Sequence, residues 1–72
     1  MKKRAKKVWY EVQARFYDKQ YKTWKRWVTD DSAIDKKSAK AHQARYVHMV
    51  EGMGYKIGLD IVTRIVRCEV VQ

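Results

Sequence analysis

The sequence predicts a small α+β domain in which a three-stranded antiparallel sheet, in the order 2-1-3, carries one helix on one face. Three observations support this β-β-α-β arrangement: two alternating, aromatic-rich segments, a central segment with helical spacing, and a final run of branched apolar residues. The 72 residues include no proline, and no linker or internal repeat divides them. We therefore expect one domain over residues 8–72, preceded by a flexible basic arm at residues 1–7.

The first two strands are predicted to form a hairpin. From Val8 to Phe16, branched and aromatic residues occupy every second position, as in a half-buried strand. Residues 17–20 supply a polar connection, and residues 21–28 form the second strand. A loop of two or four residues places Phe16 opposite Tyr21, whereas a three-residue loop would move the second strand's side chains to the other face. With the even loop, one face contains Val8, Tyr10, Val12, Ala14, Phe16, Tyr21 and Trp27, and the other contains Trp9, Gln13, Arg15, Lys22, Trp24, Arg26 and Val28.

A helix is predicted after the second strand. Ser32 and Asp35 resemble a capping box at its N-terminus. The spacing is helical from Ala33 to about Gly52 or Gly54, with Gly54 as a C-terminal cap. The stripe expected to face the core consists of Ala39, His42, Tyr46, Met49, Val50 and Met53.

The run from Ile61 to Val71 predicts the third strand, which a right-handed crossover brings beside the first. Its apolar residues fall on both sides of the strand. Strands of this kind are normally covered on both faces, whereas one helix covers only one. The uncovered side therefore predicts a partner chain on the outer face, a dimer, or pairing of this edge across a symmetry axis.

Positive charge and aromatic rings are concentrated in the N-terminal third. The net charge is +9, and residues 1–26 contain ten basic and two acidic side chains. Lysine and arginine neutralise phosphates, and rings stack on bases. The sequence thus predicts a small phage- or mobile-element-type protein that binds nucleic acid mainly through phosphates, with DNA favoured over RNA. The residues expected to bind are Lys2, Lys3, Arg4, Lys6, Lys7, Arg15, Lys22, Trp24, Lys25 and Arg26.

A second function remains open. The same tryptophans are large enough to serve as core or interface residues, since one ring buries 150–250 Å². The alternative is a protein-interaction module, either a homodimer or an inhibitor of an acidic host protein, that uses the outer sheet face. The residues assigned to this alternative are Trp9, Trp24, Ile61 and Ile65.

Catalysis, metal binding and cofactors are not expected. His42 and His48 are six residues apart, which does not give the i, i+4 pair of a helical metal site. Cys68 is the only cysteine and is interpreted as a small apolar strand residue of a protein in a reducing compartment. No apolar run approaches a signal peptide or a membrane span. The sequence therefore predicts a soluble cytoplasmic protein that is not an enzyme.

Several features occur together in residues 3–46: the basic start Lys3-Arg4, Trp9 at the opening of the first strand, Asp18 in the turn, the basic second strand Lys22–Trp27, and Lys37-Ser38-Ala39 early in the helix. In these features the chain resembles the AP2-like arm-binding DNA-binding domains of tyrosine recombinases. The resemblance implies a three-stranded sheet that enters the DNA major groove with the helix behind it. The chain departs from the family in lacking a turn glycine and a clear third strand before the helix. As a whole it is also similar to short strand–strand–helix–strand proteins of phages and prophages.

Overall fold

The computed structural model describes residues 6–71 and has the predicted α+β architecture. The strands pair antiparallel, and the single helix of these residues packs on the sheet. The predicted fold class is therefore confirmed, with one difference: the sheet has four strands instead of three, because an additional strand precedes the helix. The elements in chain order are β1 (Lys6–Asp18), β2 (Thr23–Trp24), β3 (Val28–Ala33), α1 (Lys36–Gly52) and β4 (Ile61–Val71).

β1 is the central strand, because β2, β3 and β4 all pair with it. One peptide unit shows the arrangement. The N–H of Tyr17 donates to the carbonyl of Asp60, beside β4, at 2.9 Å, while the carbonyl of Phe16 accepts from the N–H of Lys25, beside β2, at 2.8 Å. The two groups of a peptide unit point in opposite directions across a strand, so β4 and β2 lie on opposite edges of β1. β3 and β4 both pair with residues 10–14 of β1, so β3 lies on the β2 side.

The hairpin register differs from the predicted one. Tyr17 pairs with Trp24, so the loop comprises residues 19–22. Phe16 is therefore not opposite Tyr21, and that prediction is wrong. The loop has four residues, as one of the predicted alternatives did, but it begins two residues later.

The loop chemistry explains this later turn. Asp18 Oδ1 accepts the N–H of Gln20 at 2.9 Å and that of Tyr21 at 3.3 Å. This side-chain turn replaces the missing Asn-Gly signal. Lys22 closes the loop with φ of 53°, in the left-handed region that glycine adopts more easily.

α1 begins at Lys36 rather than Ala33, because β3 extends through Ala33. Asp35 is the N-cap, and its carboxylate accepts the N–H of Ser38 at 2.7 Å. This hydrogen bond lowers the pKa of Asp35 below its ordinary value. The predicted capping box is therefore wrong at Ser32, which is a strand residue and not the N-cap.

The helix ends as predicted at a glycine. Gly54 follows the C-cap Met53 and has a φ of +98°. Its N–H donates to the carbonyl of Glu51 at 3.0 Å, and the N–H of Tyr55 donates to the carbonyl of Val50 at 3.0 Å. These two bonds form a Schellman motif, in which the left-handed position favours glycine.

The core lies between α1 and the adjoining strands. Its fully buried residues include Val12, Ala14, Ala39, Val50 and Ile61, and Phe16 and Tyr46 pack against them. Met49 and Met53, which were expected to face the core, are 52% and 65% exposed. Met49 lies at the margin of the helical stripe, and Met53 is the C-cap, which follows the last helical residue, Gly52.

The sheet is longer than the helix that covers it. β1 has 13 residues and α1 has 17, which correspond to about 43 Å of strand and about 26 Å of helix. β3 ends opposite Tyr10. Beyond that point only Lys6–Trp9 of β1 and Cys68–Val71 of β4 continue, paired with each other. We call this extension the β1–β4 ribbon.

Candidate nucleic-acid interface

The sheet face opposite the helix, here called the outer face, is left uncovered by the described helix and strands. Side chains alternate between the two faces of a strand. Since Val12, Ala14 and Ile61 face the helix, the residues between them face outward. Within the described part of the chain, no helix or strand packs on this face. The outer face contains Lys7, Trp9, Glu11, Gln13, Arg15 and Tyr17 of β1, and Val62, Arg64, Val66, Cys68 and Val70 of β4.

Two arginines stack on tryptophan rings at the hairpin end of the outer face. Arg15 Cζ lies 5.2 Å from the ring centroid of Trp24 and 4.8 Å from that of Trp27. Arg64 Cζ lies 4.0 Å from the centroid of Trp27. Tyr17 meets Trp24 edge to face at a centroid distance of 5.3 Å. We call these five residues the Arg–Trp cluster. Each cation–π contact contributes about 0.5–1 kcal/mol at partly exposed positions.

Trp27 belongs to a different face than predicted. The alternation from Tyr21 to Val28 would place it away from Trp24, on the helix side. Residues 25–27 separate β2 from β3 and do not continue a regular strand. Three irregular residues break the two-residue alternation, so Trp24 and Trp27 both contact Arg15. The same break leaves Val28 opposite Ala14 instead of on the outer face.

A hydrogen-bond network fixes the polar side chains in the middle of the outer face. Glu11 accepts from Trp9 Nε1 at 3.0 Å, from Gln13 Nε2 at 3.2 Å and from Thr29 Oγ1 at 2.9 Å. These bonds, the one from Trp9 first, lower the pKa of Glu11 below its ordinary value. Gln13 Oε1 in turn accepts from Arg64 Nε at 2.8 Å. The network thus joins Trp9 to the Arg–Trp cluster.

Three of the predicted cations lie within two residues of Trp24 in the sequence. Lys22 lies in the hairpin loop, and Lys25 and Arg26 lie between β2 and β3. All three side chains are exposed. None of them forms an ion pair with the described residues. We call them the hairpin cations, and their charges are available to an anionic partner.

Arg15 was predicted as an exposed phosphate contact, but its side chain is half-buried between two indole rings. Its Nε is fully buried and has no hydrogen-bond acceptor among residues 6–71. A buried donor without an acceptor costs about 1–3 kcal/mol. The guanidinium is therefore positioned by stacking and retains an unused donor.

The structure describes only the last two residues of the predicted basic arm, Lys6 and Lys7. Lys2, Lys3 and Arg4 lie outside the described residues. Lys6 and Lys7 belong to β1, so the strand begins earlier than the predicted position 8. Lys6 Nζ forms an ion pair with Glu69 Oε1 at 2.9 Å, and Lys7 is exposed on the outer face.

The residues assigned to protein interaction do not share one surface. Ile61 is fully buried in the core, and Ile65 is opposite Val12 on the helix side. Trp9 and Trp24 lie on the outer face, so the predicted set is wrong as a single site. Trp9 instead borders an open groove of about 510 Å³ at the ribbon end, lined by Lys7, Trp9, Ser32, Ala33, Ile34 and Val70.

Sequence reasoning missed Arg64. The position is polar within an apolar strand, which was a usable signal. Its neighbours on the outer face depend on the pairing of Arg64 with Gln13, 51 residues away. Pairing over such a separation is not encoded in local alternation.

Other polar groups are accounted for structurally. His42 Nδ1 lies 3.0 Å from Asp31 Oδ2 and 2.6 Å from a terminal nitrogen of Arg45, so it joins the helix to β3. Burial, and then the nearby Glu11, raise the pKa of the Cys68 thiol.

Residues 6–71 hold no cluster of three or more His, Cys, Asp or Glu side chains that could bind a metal ion. No helix in that range is long and apolar enough to cross a membrane.

Comparisons of the chain with protein-family models, with curated proteins and with solved structures give no match. The resemblance to arm-binding domains stays a prediction. The structure departs from it in one respect, since the strand that completes the sheet on the second edge of β1 is β4, which follows the helix.

Proposed function

We propose that this protein binds nucleic acid on its outer face, chiefly through phosphates. The observation that carries the proposal is the stacking of Arg15 and Arg64 on Trp27, on a face that no described element covers. Stacked guanidinium groups keep donors directed along the ring plane, and such donors suit phosphate oxygens. The rings beside them offer stacking surfaces for bases.

The hairpin cations supply the electrostatic part of the interaction. Lys22, Lys25 and Arg26 are exposed and lie within two residues of Trp24 in the sequence. Contacts to phosphates release counterions, so affinity falls steeply with salt. Five neutralised phosphates would give a slope of about −4.5 in log affinity against log salt on duplex DNA.

Duplex DNA is the first partner to test. A two-stranded antiparallel ribbon has the width that the major groove admits, and the β1–β4 ribbon presents Lys7 on the outer face. The phage or mobile-element origin and the cytoplasmic location remain predictions from the sequence.

The test is a fluorescence anisotropy titration with labelled duplex DNA, single-stranded DNA and RNA of about 20 nucleotides, at about 50 and about 150 mM salt. We expect micromolar or tighter binding at the higher salt. The triple variant K22A/K25A/R26A should reduce the salt slope by about 2.7.

The matched control is K36A/K37A/K40A, which removes the same charge from exposed positions of α1. If both triple variants lose affinity equally, net charge rather than the outer face accounts for binding. Absence of binding to all three nucleic acids at low salt would refute the proposal.

The protein-interaction alternative is favoured by the groove at the ribbon end. Ile34 is 85% exposed at its rim, and Trp9 and Val70 form apolar parts of the wall. Exposed apolar walls of this kind occur at protein-binding sites. I34S would disturb such a site, whereas it should leave nucleic-acid affinity within about twofold because it adds no charge beside Lys7 and lies away from the hairpin cations.

A further inference from the structure

β4 has an open edge along most of its length. The carbonyl of Asp60 bonds to Tyr17 of β1, and backbone groups of successive residues point to alternate edges of a strand. The even-numbered residues of β4 therefore bond to β1, and the odd-numbered residues point away from it. Ile61 is the first odd-numbered residue of β4, and its carbonyl accepts from the N–H of Gly58 at 2.8 Å. From Thr63 to Val71, no described residue pairs with this edge.

The edge lacks a bulge and a proline, two of the features that normally prevent strand pairing. β4 pairs with β1 over eleven successive residues without a bulge, and it contains no proline. Natural edge strands are usually protected by shortness, a bulge, a proline or charged side chains. Of these β4 has only the charges, which are of both signs: Arg64, Arg67 and Glu69. Val70 and Val71, in the β1–β4 ribbon, are 45% and 52% exposed. A two-stranded ribbon of this kind is marginally stable without a further strand.

We propose that a second copy of this chain pairs antiparallel with the open edge of β4, about a two-fold axis at Cys68. Arg67 and Glu69 form an ion pair at 2.7 Å within one copy. In this register each of them is also opposite the other residue of the second copy, so Arg67 faces Glu69 in both directions. Val66 is opposite Val70, and Ile65 is opposite Val71. The charged pairs lie on the helix side and the valine pairs on the outer face, because β4 alternates.

The charges select this register over its neighbours. An axis at residue 67 would place the two Arg67 side chains opposite each other, and an axis at residue 69 would do the same with Glu69. Like charges that are directly opposite destabilise a strand pair. An axis at Val66 would require Ile61 to pair with Val71, but the edge at Ile61 is already occupied by Gly58.

The geometry at the axis provides a probe. Cys68 is an even-numbered residue whose backbone bonds to β1, so the two Cys68 residues form a non-hydrogen-bonded pair. The Cα atoms of such pairs are about 4.5 Å apart, within the range that a disulfide spans. An axis perpendicular to the sheet also places both outer faces on the same side of one continuous sheet. The inference does not depend on nucleic-acid binding.

The decisive experiment uses charge complementarity between two variants. R67E carries two acidic residues at the contact and E69R carries two basic ones, so each variant alone would place like charges opposite each other. Their mixture restores opposite charges in both pairs. Light scattering after size-exclusion chromatography, at up to about 0.5 mM protein, should show a wild-type dimer. We expect each variant alone to dimerise roughly tenfold more weakly, and the mixture to recover.

Oxidation of the thiols reports the register. A copper–phenanthroline complex with dioxygen as electron acceptor removes two electrons and two protons from two Cys68 thiols, which forms one disulfide. Wild-type protein and the R67E/E69R mixture should yield covalent dimers, and either variant alone should yield few. K40E, which reverses an exposed charge on α1, is the control and should dimerise like the wild type.

Mixing the two variants does not change the contacts within either chain. A recovery of dimerisation in the mixture therefore reports a contact between chains and not improved folding. A wild-type protein that stays monomeric at the highest concentration would overturn the inference. A mixture no more associated than its components would overturn the register. A dimer that R67E leaves intact would show that association uses another surface, such as the groove bordered by Ile34.

Discussion

Arg64 Nε donates a hydrogen bond of 2.8 Å to Gln13 Oε1, across the register that pairs these two residues of β4 and β1. The same guanidinium stacks on Trp27 at 4.0 Å. Gln13 donates to Glu11, which also accepts from Trp9. Arg64 therefore joins a hydrogen-bonded row on two strands to the Arg–Trp cluster. Substitutions at one end of this row should therefore alter side-chain positions at the other end.

Trp27 should contribute more to stability than Trp24. Trp27 contacts two guanidinium groups and Trp24 contacts one. Trp24 also meets Tyr17 edge to face, so the two variants are compared in a Y17L background, which removes that contact from both. With about 0.5–1 kcal/mol for each cation–π contact, W27A should then lower the free energy of unfolding by about 0.5–1 kcal/mol more than W24A. Urea denaturation followed by circular dichroism measures both values. Equal losses would show that stacking on Arg64 adds nothing to the lost packing.

Ile61 and Ile34 offer a matched pair for the core. Ile61 is fully buried, and Ile34 is 85% exposed. I61V removes one buried methylene and should cost about 0.5–1.5 kcal/mol of unfolding free energy. I34V should change it by less than about 0.5 kcal/mol. Urea midpoints of the two variants check this, and a larger loss for I34V would contradict the placement of the core.

Stability should fall as the solution is acidified, partly because of Glu11. Its hydrogen bonds lower the pKa below 4.5, its value in an unfolded chain. A lowered pKa stabilises the fold above pH 4.5, and this contribution disappears as the pH falls through the folded-state pKa. The urea midpoint of E11Q should therefore depend less on pH between 7 and 3 than that of the wild type.

The control for this measurement is E51Q, which changes an exposed carboxyl on α1. It removes the same charge as E11Q, so the difference between the two pH profiles isolates the effect of the hydrogen bonds to Glu11. An E11Q profile that follows the wild type throughout would exclude Glu11 as a source of the acid sensitivity. Asp35, Asp60 and Glu69, whose pKa values are also lowered, would then account for it.

Lys22 is a site where glycine should stabilise the hairpin. Its φ of 53° lies in the left-handed region, which costs a residue with a side chain about 1–2 kcal/mol. K22G should raise the urea midpoint, with a net gain below about 1 kcal/mol because glycine gains freedom in the unfolded chain. K25G, outside the loop, should not. A lower midpoint for K22G would indicate that the Lys22 side chain stabilises the loop.

The faces of β1 could be predicted because strand alternation is local. Val12 and Ala14 are buried, and Glu11 and Arg15 lie on the outer face, as their spacing indicates. The position of Trp27 could not be predicted in the same way. Residues 25–27, between β2 and β3, are irregular and reverse the alternation of side chains. None of these three residues is of a type that predicts an irregular segment.

The N-cap shows a second limit. Ser32 and Asp35 both have capping side chains, and sequence spacing favours the earlier residue as the start. β3 continues to Ala33 because Ala33 pairs with Tyr10 of β1. A residue in this extended, paired conformation cannot also be the first residue of a helix. The site prediction has the same weakness: the hairpin cations are close together in the sequence and could be selected from composition, whereas Arg64 required the register of a strand far along the chain.

The dependence of every strand on β1 has a kinetic consequence. Its pairing with β2 and β3 closes short loops, whereas its pairing with β4 joins Lys6 to Val71 and spans nearly the whole described chain. Distant pairing slows folding, and β-rich topologies of this kind fold in milliseconds to seconds. The hairpin should therefore form first, and β4 should dock last. Until it docks, a nascent chain exposes an unpaired β1 edge, so the protein is most vulnerable to aggregation and proteolysis at that time.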